Sequence, residues 1–129
     1  MLKDLKWNEI RAIVFARDNY KCRLISLLSK SELEELTHNA QYLINIVDPA
    51  HILRRSVFPQ LKYESNNIIL LNRYSHSQLD QFKNPITGKY MNKEFTLLYW
   101  KKIIGDIQLN QLKIILKELQ IKNSGLDND

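Results

Sequence analysis

Five predicted helices, one of them at 29–40 indicated by Ser caps followed by acidic residues, surround two short apolar runs. This order most constrains the fold of the 129-residue chain. Apolar side chains that recur every three or four residues are typical of helices that pack one face on a core. The two runs are too short for helices and are predicted to be strands. The predicted helices are 3–18, 29–40, 72–83, 93–104 and 106–122, and the predicted strands are 42–47 and 67–71. We therefore predict one α+β domain over residues 1–129.

The connecting segments carry weaker signals. Asp48-Pro49 interrupts the first strand, which then continues through AHIL. Residues 20–28 fit either a short strand or an apolar loop, and 54–66 are predicted to be a loop. Asn-Pro and Thr-Gly pairs predict a turn at 84–90.

Composition excludes several classes of protein. Cys22 is the single cysteine, so no disulfide can form within the chain and a reducing compartment is expected. The N-terminus lacks the apolar segment of a signal peptide, and no apolar run approaches the length of a membrane span. A cytoplasmic protein without a membrane partner is therefore expected. The net charge of +5 suits a polyanionic partner such as nucleic acid or an anionic membrane surface.

Three polar residues occupy defined places in the predicted strand-loop-strand-helix segment. His51 closes the first strand, Asn67 opens the second strand, and His76 lies in the first turn of the helix that follows. A hairpin brings the ends of its strands together, and the helix can fold across it. We expect these three side chains to surround one small space.

The words AHILRRS, NNIILL and HSQLD, preceded by IRAIVFARDNYKC at 10–22, resemble the His-Asn-His (HNH) endonuclease family of phage and bacterial type. The resemblance covers residues 7–25 and 48–82. It implies a ββα-metal finger at about 42–83, flanked by an N-terminal helix and by C-terminal helices at about 93–122. The implied activity is hydrolysis of phosphodiester bonds in DNA with one divalent ion, Mg²⁺ in the first place, with Mn²⁺, Ni²⁺ or Zn²⁺ as alternatives.

The resemblance assigns a role to each residue of the motif. His51 is the general base, His76 is a metal ligand, and Asn67 orients His51 by tying the loop. An imidazole with a pKa of ~6.5 suits proton transfer from water near neutral pH. Asp80, one helical turn after His76, is a second candidate ligand.

This sequence departs from the family pattern at the residue before the base. Many relatives carry a metal-binding Asp or His there, whereas this chain carries Ala50. Asp48 could supply the missing carboxylate, or His76 and Asp80 could hold the ion with more water. The four positions of the family's structural zinc site read Cys22, Ile25, Asn72 and Ser75, so no structural zinc is expected.

Further residues have weaker assignments. Arg55, and with it Arg54, is predicted to bind a DNA phosphate, because a guanidinium can contact two phosphate oxygens at once. Trp7 and Trp100 are predicted to be core residues, and His38 has no assigned role.

Two alternatives to a nuclease also fit the sequence. The Ala50 departure motivates a non-catalytic DNA-binding module that keeps the fold. A third hypothesis is that the chain is an unrelated helical protein, which binds a partner through its basic C-terminal helix. A homodimer and phage packaging proteins are partners compatible with the resemblance, in a bacterial or phage-infected cell.

Overall fold

The computed structural model describes residues 2–126 and shows a mixed α+β fold. In that range it has five α-helices and one two-stranded antiparallel sheet, joined in part by short 3₁₀ turns. The elements are α1 (Leu2–Arg17), α2 (Lys30–Ala40), β1 (Val47–His51), β2 (Ile68–Asn72), α3 (Arg73–Asp80), α4 (Lys93–Ile104) and α5 (Asp106–Glu118). None of the helices in this range is long and apolar enough to cross a membrane.

The predicted first strand is wrong in its position. Residues Gln41–Asn45 form a 3₁₀ turn, and β1 instead runs through the Asp48-Pro49 pair and pairs with β2 from Val47↔Asn72 to His51↔Ile68. Segment 20–28 contains no strand and includes a 3₁₀ turn at Ile25–Leu27. The turn at 84–90 is confirmed within a longer connection between α3 and α4.

Pro49 fits into β1 because of how its partner Leu70 is bonded. The Leu70 N–H donates to Asp18 Oδ2 at 3.0 Å, and the Leu70 carbonyl accepts from the Arg23 N–H at 2.9 Å. Both backbone groups of Leu70 therefore point away from β1, and Pro49 and Leu70 form a pair without ladder hydrogen bonds. A proline, which has no N–H, loses nothing at such a position.

The predicted helices are confirmed with shifted ends. Ser29 and Glu32 form a capping box at the start of α2, and the side chain of Asn72 caps α3 by accepting from the Ser75 N–H. Helix α5 ends at Glu118 rather than at residue 122, since Gln120 adopts a left-handed φ of 56°.

Strand β2 is buried on both faces, which explains its uninterrupted apolar sequence. Ile69 and Leu71 join the main core, while Ile68 and Leu70 pack with Val14 of α1. The main core also contains Leu24, Leu36, Trp100, Ile103, Leu112 and Leu116. The sheet is therefore held between α1 and the rest of the molecule, which fixes the position of its ends.

The buried face of α5 includes a polar residue. Ile107 is 80% exposed, whereas Gln108 is buried. The Gln108 side chain accepts from Arg23 at 2.8 Å and donates to the Asn66 carbonyl at 2.9 Å. Helix α5 thus supports the start of β2 through a polar contact that apolar periodicity does not reveal.

Candidate active site

The end of the hairpin opens into a cleft of ≈ 470 Å³, here called the histidine cleft. It is lined by Trp7, Pro49, His51, Arg54, Arg55, Ser56, His76 and Asp80. Five of the seven residues predicted to act in catalysis, metal binding or DNA binding therefore meet in one place. Asn67 is buried behind it, and Asp48 is not among its lining residues.

Asn67 fastens the loop between the strands. Its Oδ1 accepts from the Leu53 N–H at 2.8 Å, and its Nδ2 donates to the Leu53 carbonyl at 3.0 Å. The same Nδ2 lies 3.4 Å from the Leu61 carbonyl, and the Asn67 carbonyl accepts from the Ile52 N–H at 2.8 Å. Because Leu53 follows His51 closely, these bonds fix the backbone on which His51 stands.

One ring nitrogen of His51 is held by the loop. Nε2 lies 2.9 Å from the Lys62 carbonyl oxygen, which can only accept, so Nε2 carries the hydrogen. In the neutral ring Nδ1 then has the lone pair, and it has no hydrogen-bond partner within residues 2–126. This is the tautomer in which a histidine can take a proton through Nδ1.

The surroundings of His51 favour its neutral form. Burial lowers the pKa of His51, the bond to the Lys62 carbonyl opposes this, and the charges of Arg55, His76 and Lys62 lower it further. The net direction is downward from the ordinary value of 6.5. His51 is therefore a free base at neutral pH.

Trp7 forms one wall of the histidine cleft instead of lying wholly in the core. Its ring stacks on His51, with 5.7 Å between centroids and 17° between planes. Trp7 is half-buried against the small cluster of Val14, Ile68 and Leu70. Trp100, in contrast, is a core residue as predicted.

His76 and Asp80 are adjacent on α3. His76 Nε2 lies 3.4 Å from Asp80 Oδ2, and both side chains are partly exposed to the cleft. Within residues 2–126, no group of three or more His, Cys, Asp or Glu side chains is placed to hold a metal. Two protein donors with the other positions open fit an ion such as Mg²⁺, which keeps several waters and binds phosphate oxygens.

Asp48, predicted from the sequence as a possible metal ligand in place of Ala50, is held in an ion pair. Arg73 Nε and Nη2 donate to the two Asp48 carboxylate oxygens at 2.8 and 3.0 Å, and this pairing lowers the pKa of Asp48. Ala50 is fully buried. Arg73 would therefore compete with a metal ion for the Asp48 carboxylate, and metal binding by Asp48 stays a prediction.

The two arginines have different surroundings. Arg54 Nη2 donates to the Asp80 carbonyl at 3.0 Å, and the Arg54 guanidinium lies 5.5 Å from the centroid of the Phe82 ring. Arg55 is exposed and makes no hydrogen bond or ion pair with the part of the chain that the structure describes. Arg55 is thus the guanidinium that is available to an anion in the cleft.

Cys22, Asn72 and Ser75, three of the four residues that the resemblance would place at a zinc site, lie together. Cys22 Sγ accepts from the Asn72 N–H at 3.2 Å and lies 3.4 Å from Asn72 Nδ2, and Asn72 Oδ1 accepts from the Ser75 N–H at 2.8 Å. Hydrogen bonds among these residues, two of them from backbone N–H groups, therefore join the turn after α1 to the start of α3.

Comparison of the chain with protein-family models, with curated proteins and with solved structures finds no match.

Proposed function

We propose that the chain is a metal-dependent DNA endonuclease of the HNH type, in which β1, β2 and α3 form a ββα-metal finger. The observation that carries the proposal is the arrangement in the histidine cleft. His51, with Nε2 bonded to the Lys62 carbonyl, lines the same cleft as the His76–Asp80 pair and the two arginines. A base, an open pair of metal donors and phosphate-binding cations are the parts that phosphodiester hydrolysis requires.

The charges of the cleft suit a phosphodiester. The charged side chains that line the cleft are two arginines, Arg54 and Arg55, and one carboxylate, Asp80. The lining therefore carries a net positive charge even when both histidines are neutral. In the proposed complex Arg55 binds non-bridging phosphate oxygens and Arg54 closes one side. Non-specific phosphate contacts of this kind give affinity without sequence preference.

In the proposed reaction His51 Nδ1 takes a proton from a water molecule whose oxygen attacks phosphorus. The new P–O bond forms as the bond to the departing sugar oxygen breaks, and solvent protonates that oxygen. The Lys62 carbonyl accepts from Nε2–H before and after the transfer, and so stabilises the imidazolium. An ion held by His76 and Asp80 would supply positive charge beside the phosphate and the departing oxygen.

A second candidate function, a DNA-binding module without catalysis, is favoured by one observation. Ala50 cannot bind a metal and Asp48 is paired with Arg73, so α3 alone supplies the side chains that line the cleft as metal donors. Weak metal binding would leave the arginines to hold DNA without hydrolysis.

Supercoiled plasmid incubated with the full chain and Mg²⁺, Mn²⁺, Ni²⁺ or EDTA distinguishes the two functions. The nuclease proposal predicts nicked or linear product with a metal and none with EDTA. Retarded migration of intact plasmid with every metal would instead support the binding module. If the chain neither cleaved nor bound the plasmid at low salt, both proposed functions would be contradicted.

A further inference from the structure

A second cleft of ≈ 260 Å³ adjoins the histidine cleft, and the two share His51, Arg54 and Asp80. We call it the apolar cleft. Its walls come from the segment after β1, from the end of α3 and from one face of α4, and they include Leu53, Val57, Leu79, Phe82, Leu97 and Trp100. The proposed reaction does not use this space.

Cations stand beside the apolar walls. Arg54 is fixed on the boundary between the clefts by its bond to the Asp80 carbonyl and by its contact with the Phe82 ring. Exposed Lys93, at the start of α4, lies on another side. A ligand with an apolar part and an adjoining anionic part would complement these walls and the two cations.

The size of the apolar cleft limits what it can hold. Clefts for drug-sized ligands measure ~300–1,000 Å³, so this cleft of ≈ 260 Å³ lies just below that range. A single unpaired base matches both its size and its walls, because extruded bases stack on aromatic rings and on guanidinium planes. A stacked base inside duplex DNA cannot enter such a space.

We propose that the apolar cleft binds one unpaired base next to the phosphate held in the histidine cleft, so that the preferred substrate is DNA with an extrahelical nucleotide. This inference rests on the proposed function for the position of the phosphate. Continuity of the clefts through Arg54 places the base and its phosphate on opposite sides of one guanidinium.

The test compares two labelled duplexes that differ only in one unpaired nucleotide. Binding is measured by fluorescence anisotropy in EDTA, and cleavage is measured separately with Mg²⁺ or Mn²⁺. We expect about tenfold tighter binding of the bulged duplex, the order given by one stacked base. Equal affinity for the two duplexes would overturn the proposal, and cleavage of the paired duplex would then leave the proposed function intact.

The location of the base is tested with Val57→Glu, which places a carboxylate at the mouth of the apolar cleft. Val57 is 65% exposed, so folding should tolerate the change. We expect this variant to bind the bulged and the paired duplex about equally, because the carboxylate repels the nucleotide. Leu98→Glu, at a 52% exposed position of α4 outside both clefts, is the matched control and should keep the preference.

The outcomes separate the two proposals. A bulge preference that Val57→Glu removes, without cleavage by any metal, would support the apolar cleft and contradict the nuclease. A preference that Val57→Glu and Leu98→Glu leave equally intact would overturn the apolar cleft as the binding site. If neither duplex bound, the proposal that the apolar cleft holds an unpaired base would be overturned.

Discussion

Trp7 covers one face of His51, with the two rings nearly parallel and their centroids 5.7 Å apart. The indole belongs to α1 and the imidazole ends β1, so a contact between distant parts of the chain sets the environment of the proposed base. The indole contributes to the burial that lowers the pKa of His51. Stacking also restricts rotation of the imidazole about its own axis.

Replacement of Trp7 should therefore change both the rate and its pH dependence. In the wild type, kcat/KM should fall only below pH ~6.5, because the pKa of His51 is below its ordinary value. Trp7→Ala should lower kcat and move this acidic limb to higher pH, since solvent then reaches the ring. Trp7→Phe should restore much of both.

Phe95→Ala serves as the control for Trp7, because Phe95 is 61% exposed on α4 and lies outside the histidine cleft. A lower rate for Trp7→Ala with an unshifted acidic limb would mean that the indole acts through folding alone.

Loss of the Asn67 side chain should destabilise the protein. In Asn67→Ala the Leu53 N–H and carbonyl lose their buried partners, at a cost of at least ~2 kcal/mol. The neighbouring Asn66→Ala loses only a side-chain bond to Glu64 and should cost much less. Urea unfolding curves measure both, and equal midpoints for the two variants would contradict the described role of Asn67.

Because of Asp18, the free energy of unfolding should depend on pH in the acidic range. Its buried carboxylate accepts from Arg17, from Arg23 and from the Leu70 N–H. Burial alone would raise the pKa of Asp18, but these hydrogen bonds and charges hold it below the ordinary value. The folded protein thus binds the proton more weakly than the unfolded chain, so this stabilisation is full above pH ~4 and is lost as pH falls further.

Asp18→Asn should cost about 3 kcal/mol at pH 7, because it leaves two arginines without their buried anion. The difference from wild type should shrink as the pH falls below 4. Thermal unfolding between pH 3 and pH 7 measures this, and a difference that stays constant with pH would contradict the ion pairs.

The two aspartates near the motif should respond differently to removal of charge. Asp80→Asn should raise the Mg²⁺ concentration needed for half-maximal cleavage about tenfold or more, since Asp80 pairs with His76 in the cleft. Asp48→Asn should leave that concentration nearly unchanged, because Arg73 occupies the Asp48 carboxylate. Titration of the metal checks both, and the opposite order would support Asp48 as a ligand.

The meeting of the site residues could be predicted from the sequence, because they lie close together along the chain. His51 ends β1, Asn67 directly precedes β2, and His76 lies in the helix directly after β2, so their meeting depends on a hairpin and one turn. The helices could also be predicted, since each buries a face on which apolar residues recur with the helical period. Their ends depend on single left-handed residues such as Gln120, which composition does not reveal.

The remaining features depend on contacts between distant segments. Pro49 sits in a strand only because Asp18 and Arg23 take the backbone groups of Leu70. Trp7 reaches His51 only because α1 packs on β2, and the bond from His51 to Lys62 uses a backbone oxygen that every residue has. A single sequence carries no sign of these contacts.

The most direct test of the central claim is the single-turnover cleavage rate of DNA at saturating Mg²⁺ or Mn²⁺ for wild type, His51→Ala and His38→Ala. His38 is exposed on α2 and lies outside both clefts, so it is the matched control. A general base predicts a loss of about 100- to 10,000-fold for His51→Ala, with unchanged DNA binding and a wild-type rate for His38→Ala. Equal rates for wild type and His51→Ala would contradict the account.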